Sequence, residues 1–306
     1  MKKLLFTCLI IGSSWSIYGQ SIINKNLYTT NPAQINPAYM GNQGRLFLGF
    51  QSSLVGSNKL DLPTYSSINA HASLFENFGL GANFLSETQG AFSLTMADVG
   101  SSYKVFLQEN QSLRFGLSFG FIRRTLNPST FTTNAFVDQN DPFLIGDFYD
   151  QTRMKIGAGF IYQIMNFELA VGSPYLFTGG ESLNKEANVL LGYTWAINNG
   201  KLKVNPSFFY QFKNEDFNLY DFNLKGTFSD LFWLQAGYRS NQSINVGFGL
   251  SDRFFDIGYN FNMAMGDLKV INANNHEILL AFTIKNKDKR PSSRGNYRPY
   301  NQLKIK

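Results

Sequence analysis

The sequence predicts an all-β, outer-membrane barrel of about fourteen antiparallel strands, and three observations lead there. Apolar residues alternate with small or polar ones along runs of about ten residues, the length of a tilted membrane-spanning strand. The joins between these runs are short in one set and long in the other, as in barrels with tight periplasmic turns and longer external loops. Only 16% of the 306 residues are charged, against roughly 25% in ordinary soluble domains, while 16% are aromatic. Past Ile17 no apolar run approaches the roughly 18 to 20 residues of a membrane helix, which excludes a helical membrane protein. So many aromatics also exclude a disordered chain.

The elements follow in chain order. Lys2 and Lys3 precede an apolar stretch from Leu4 to Trp15, and Gly19 supplies a small residue before Gln20, so residues 1–19 read as a secretory signal peptide. Cys8, the single cysteine, lies inside it; the mature chain is expected to have no disulfide, no cysteine nucleophile and no zinc–thiolate site. Residues 20–44 form an N-terminal periplasmic or plug-like segment with a double motif, Asn31-Pro32-Ala33 and Asn36-Pro37-Ala38-Tyr39-Met40-Gly41. Asn-Pro places a capping side chain before a ring-fixed first helical residue, so each pair can start one helical turn. Gly41 can take the positive φ that ends the second. This reads as a structured segment at the periplasmic mouth.

Residues 45–285 form the barrel, with strands expected near 45–55, 64–75, 78–86, 91–107, 111–124, 151–163, 166–173, 187–198, 201–213, 216–228, 231–240, 243–251, 253–263 and 276–285. In Ser243 to Leu250 every even position is apolar and every odd one small or polar. Tight joins fall at Glu76-Asn77, Glu109-Asn110, Met165-Asn166, Asn198-Asn199-Gly200, Ser229-Asp230 and Ser251-Asp252. Long ones fall at Leu126–Asp150, Pro174–Glu186 and Ala264–Asn275. An even strand count puts both chain ends on the periplasmic side. A soluble sandwich would carry charge on its outward face; here one face is Phe, Tyr, Leu and Ile, and the other Gly, Ser, Asn and Thr, which fits lipid outside and a wet lumen inside.

Residues 286–306 make a basic periplasmic tail. From Lys285 on there are eight basic residues and one acid, whereas residues 20–284 carry 17 basic and 20 acidic. The net charge of +6 therefore belongs to the tail, and a nucleic-acid partner is not expected. Lys289, Arg290, Arg294 and Arg298 are its candidate partner-binding residues.

No catalytic residue, cofactor or metal is expected. Outer-membrane proteases and phospholipases need a histidine paired with Ser or an acid, and only His71 and His276 exist; His71 falls mid-strand, facing the lumen. His276-Glu277 opens the last strand and reads as a polar clasp at the barrel rim. Asp138, Asp141, Asp147 and Asp150 lack the spacing of a calcium loop. Gly79-Leu80-Gly81, Gly157-Ala158-Gly159 and Gly247-Phe248-Gly249 lie inside strands, so they are small residues on one barrel face and not a dinucleotide loop. Arg123-Arg124 reads as a solvated pair near the outer surface, within reach of lipopolysaccharide phosphates, and Trp195 and Trp233 read as interface anchors.

The stretch from Tyr28 through Asn31-Pro32-Ala33 to Asn36-Pro37-Ala38-Tyr39-Met40-Gly41 resembles the N-terminal signature of the PorP/SprF family, and Asn275-His276-Glu277-Ile278 resembles its terminal segment. The resemblance covers essentially the whole chain; Leu27, where relatives often have Gln, and the long tail depart from the pattern. It implies an outer-membrane, non-enzymatic component of the type IX secretion system of Bacteroidota, tied to gliding motility in gliding species. It implies as partners a secreted adhesin with a type IX C-terminal domain and periplasmic secretion or peptidoglycan-binding components, beside outer-membrane lipid and lipopolysaccharide. Asn31, Pro32, Asn36, Pro37, Ala38, Tyr39, Gly41, His276 and Glu277 are then candidate partner-binding residues. A general porin or hydrophobic-compound channel is the alternative reading.

Overall fold

The computed structural model describes residues 26–42, 45–55, 64–89, 92–126, 150–179, 186–213, 218–240, 243–252, 254–266 and 274–285. The expected signal peptide, the basic tail with Lys289, Arg290, Arg294 and Arg298, and Asp138, Asp141 and Asp147 lie outside the described residues.

Fifteen strand segments make one antiparallel sheet: β1 (Arg45–Val55), β2 (Thr64–Ser73), β3 (Phe78–Gln89), β4 (Phe92–Gln108), β5 (Gln111–Leu126), β6 (Gln151–Ile164), β7 (Phe167–Thr178), β8 (Glu186–Tyr193), β9 (Trp195–Ile197), β10 (Leu202–Lys213), β11 (Asn218–Phe228), β12 (Phe232–Arg239), β13 (Ser243–Ser251), β14 (Phe255–Ala264) and β15 (Asn275–Lys285). Each pairs with its sequence neighbour, and β15 closes the sheet on β1 from Arg45↔Lys285 to Val55↔Asn275. β8 and β9 both pair with β10 in one continuous register, so they are two parts of one stave and the closed barrel has fourteen.

Period-two alternation sorts the side chains as expected. On β13, Ile244, Val246, Phe248 and Leu250 point outward while Ser243, Asn245 and the two glycines point inward. The same outward belt includes Leu48, Phe50, Phe119, Phe222, Leu280 and Phe282, all exposed on the isolated chain. Each such side chain left in water forgoes about 1.5–3 kcal/mol, which hydrocarbon restores. No helix among the described residues is long and apolar enough to cross a membrane; strands cross instead.

The tight joins fall where expected, and positive φ appears at Met165, Asn198, Asn199, Ser229 and Asp230. Three expectations are corrected. Pro174–Thr178, read as the start of the long Pro174–Glu186 join, continues β7: residues 174–176 stand opposite the single Gly157, and this bulge lets the strand pass the missing N–H. Trp233 is not an interface anchor; it points inward and is buried. The lumen wall is not uniformly polar either, since Tyr65, Leu85, Met96 and Ile122 form an apolar cluster inside the long-loop half.

Candidate functional site: a plug in the lumen

Residues 26–42 do not sit at the mouth of the barrel; they cross its lumen as three 3-10 turns, Leu27–Thr29, Pro32–Gln34 and Pro37–Tyr39. The two Asn-Pro pairs start the second and third, each proline filling the first helical position where no N–H is needed. Asn36 caps its turn by accepting from Ala38 N at 2.9 Å. Asn31 makes no cap; its amide donates to Asn69 Oδ1 on β2 at 3.0 Å. Gly41 ends the segment with φ +68°.

Polar contacts reach the wall around the whole circumference. Glu277 on β15 accepts from Asn26 N at 2.8 Å and Leu27 N at 3.2 Å, and also from the Gln51 amide. Gln34 donates to Gln51 Oε1 at 2.7 Å and Asn69 Oδ1 at 2.8 Å. Ser102 on β4 donates to the Met40 carbonyl, and Asn188 on β8 donates to the Ile35 carbonyl at 3.1 Å. The Asn36 amide donates to Val171 O on β7 at 3.1 Å and Thr29 Oγ1 to Gln235 Oε1 on β12 at 2.8 Å. Tyr28 receives Asn223 Nδ2 at 2.9 Å and lies beside Asp221, which Arg239 holds through its Nε at 2.6 Å. Tyr39 donates to Glu168. Burial, then the Glu168 charge, holds the Tyr39 phenol well above its usual pKa range; burial, then Asp221, does the same for Tyr28.

Glycines give the plug its room. A Cβ on Gly116 would lie under 3.0 Å from backbone atoms of Pro37 and Ala38, and one on Gly159 or Gly172 would strike the Asn36 side chain. Apolar contacts complete the seat: Leu27 packs on Trp233 and Leu279, and Tyr28 on Phe209. Lys225 binds Thr30 Oγ1 at 3.0 Å and lies 4.5 Å over the Trp233 ring.

The plug parts the lumen. On the short-turn side a cavity of about 580 Å³ is bounded by Tyr28, Thr29, Pro32 and Tyr39, with Asn110 and Met165 of the turns at its rim. Against Ala33, Gln34 and Pro37, beside the buried Lys155–Asp98 pair, lies a cavity of about 30 Å³.

Of the residues singled out from sequence, Asn31, Pro32, Asn36, Pro37, Ala38, Tyr39, Gly41 and Glu277 thus meet in one assembly, in which the Asn31 and Asn36 amides and the Tyr39 hydroxyl donate to the wall and Glu277 accepts from the plug. His276 stands apart. The strand alternation turns it outward, where Nδ1 lies 2.7 Å from Tyr259 OH, while Glu277 turns inward and is buried. His71 faces the lumen, stacked on Phe47 at 4.8 Å between ring centres. The two histidines stand on opposite faces of the wall and do not form a catalytic pair. Arg123 is held by Asp150 in a bidentate pair at 2.8 and 2.7 Å, so its charge is already matched.

The sequence profile of the family described as "Type IX secretion system membrane protein PorP/SprF" matches residues 17–282. The chain belongs to the PorP/SprF family. No curated protein matches it. Among solved structures, the Pseudomonas putida toluene transporter TodX is similar at 7% identity and a TM-score of 0.51, over 86% of this chain and 94% of that one. The Acinetobacter baumannii outer membrane protein Omp33 is similar at 12% identity and a TM-score of 0.48, over 80% and 99%. At such identity the TodX likeness speaks for the barrel fold alone. This PorP/SprF barrel is thus an outer-membrane barrel of a secretion-system family, and neither family nor fold is a class of enzyme.

Proposed function

We propose that this PorP/SprF barrel is a non-enzymatic attachment and assembly component of type IX secretion, assisting export or surface attachment of a secreted adhesin with a type IX C-terminal domain. The plug carries the reading. A porin works through an open lumen, whereas here inward groups such as Glu277, Gln51 and Gln235 are bonded to residues 26–42 and the cavities on either side are parted by that segment. A barrel closed in this way serves through its rims.

On this reading the plug residues position the rim and do not themselves grip cargo. The short-turn side faces the periplasm, and the tail from Lys289 to Arg298 draws acidic secretion or peptidoglycan-binding components by long-range attraction. In gliding species the attached adhesin would serve motility.

Two measurements test this. Asn36→Ala with Tyr39→Ala should keep heat-modifiable gel migration but lower surface labelling of the adhesin; loss of both together would mean that the motif serves folding alone. Deleting Pro291–Lys306 should leave an inserted barrel that captures fewer periplasmic partners, with wild-type capture falling as salt shortens the ~8 Å Debye length. Equal, salt-insensitive capture by both forms would remove the tail from the account.

A further inference from the structure

Between β8/β9 and β10 the register runs unbroken from Ser207↔Gly192 to Val204↔Trp195, yet Tyr193 and Thr194 opposite Pro206 and Asn205 carry no ladder pairing. Pro206 has no N–H to donate, so a carbonyl across the seam loses its partner. The Asn205 side chain replaces it, donating to Tyr193 O at 3.0 Å and to Thr194 Oγ1 at 2.9 Å. Over this break the outer wall is dented by a groove of about 430 Å³, lined by Leu191, Tyr193, Pro206, Phe208, Phe222 and Leu224. Behind it lies the turn-side cavity, and Gly192 and Ser207 border both, so little more than one layer of backbone separates the two. On the inner side Gly192 leaves open space: a Cβ there would meet only Asn205 Nδ2, at 4.0 Å.

We propose that this groove seats one acyl chain of an outer-membrane glycerophospholipid. It opens directly onto the lipid-facing belt, where Phe222, Leu224, Leu234 and Tyr238 are exposed, so its occupant comes from the bilayer. A flexible methylene chain lying in a concave apolar seat buries more of its surface than one against a flat wall. Trp195, outward and 5.2 Å from the Tyr193 ring beside the Asn198–Gly200 turn, marks the interfacial level. The head group therefore sits at the short-turn rim and the chain runs up the seam.

The test uses the full chain in nanodiscs of phosphatidylethanolamine carrying a diazirine midway along one acyl chain. After irradiation, peptides holding Leu191–Tyr193 and Phe208 should be labelled at least about fourfold more than the outward Val246 and Phe248 of β13, the equivalent of one further buried methylene at ~0.8 kcal/mol. Ala236→Trp, which fills the groove from β12, should bring that labelling down to the β13 level. Equal labelling of groove and β13 in the wild type, or enrichment undiminished by Ala236→Trp, overturns the proposal. Should that variant fail to insert, native mass spectrometry of the wild type decides: one retained phospholipid supports the seat, and none overturns it.

Discussion

Glu277→Ala is the sharpest test of how the plug is held. Glu277 is fully buried, and its two carboxylate oxygens take the backbone N–H groups of Asn26 and Leu27 at 2.8 and 3.2 Å. Alanine at this position orphans both donors. An unmade buried hydrogen bond costs about 1–3 kcal/mol, so the start of the plug loses about 2–6 kcal/mol of docking. At 1.4 kcal/mol per tenfold, even the lower figure raises the population with residues 26–27 off the wall about 25-fold. The barrel itself should survive, because β15 is paired by backbone ladders to β1 and β14. Hydrogen exchange of the peptide spanning Asn26 to Tyr39 should quicken accordingly, with heat-modifiable migration unchanged. Glu277→Gln, which keeps one acceptor oxygen, should fall between. Unchanged exchange in Glu277→Ala would refute the claim that this carboxylate anchors the plug.

Three further outcomes are expected. Gly116→Val drives a side chain into the Pro37–Ala38 backbone, an overpacking worth about 1–3 kcal/mol, and should speed exchange at Ala38–Met40 without loss of insertion. Asp221→Ala takes from the buried Arg239 the carboxylate that it grips, costing about 3–5 kcal/mol and lowering the urea midpoint of the folded gel band; Asp221→Leu with Arg239→Met should recover most of it. The raised phenol pKa values of Tyr28 and Tyr39 favour the neutral form, so their contribution is present below the ordinary tyrosine pKa of about 10 and is lost as pH rises well past it. Tyr39→Phe should therefore leave the ultraviolet tyrosine titration unchanged below that pH and remove amplitude only above it.

Strand number, closure and facing were legible in the sequence because lipid on one side and a polar interior on the other impose a period of two that no loop chemistry disturbs. Ends were less so. Pro174 read as the start of a loop, and only the bulge of residues 174–176 on β7 opposite Gly157 shows how the wall absorbs it. The Asn-Pro turns and Gly41 were readable from local chemistry; their place stayed open between a periplasmic and a plug-like segment, since partners such as Val171 and Glu277 lie far off in the chain. One signal was in the sequence. The inward glycines Gly79, Gly81, Gly159 and, on β5, Gly116 line a lumen where nothing local demands a missing side chain, and something must approach them closely. Trp233 misled for a like reason: an aromatic near a strand end reads as an interface anchor, but its parity places it with the inward residues that meet Leu27.

The central claim is that this PorP/SprF barrel is closed by its own N-terminal segment, and conductance in planar lipid bilayers tests it most directly. Wild-type protein should insert without a steady open level, while Gly116→Val and Glu277→Ala should show flickering openings as the plug leaves its seat. A steady, large conductance from the wild type, unchanged in both variants, would contradict the account and return the barrel to the porins.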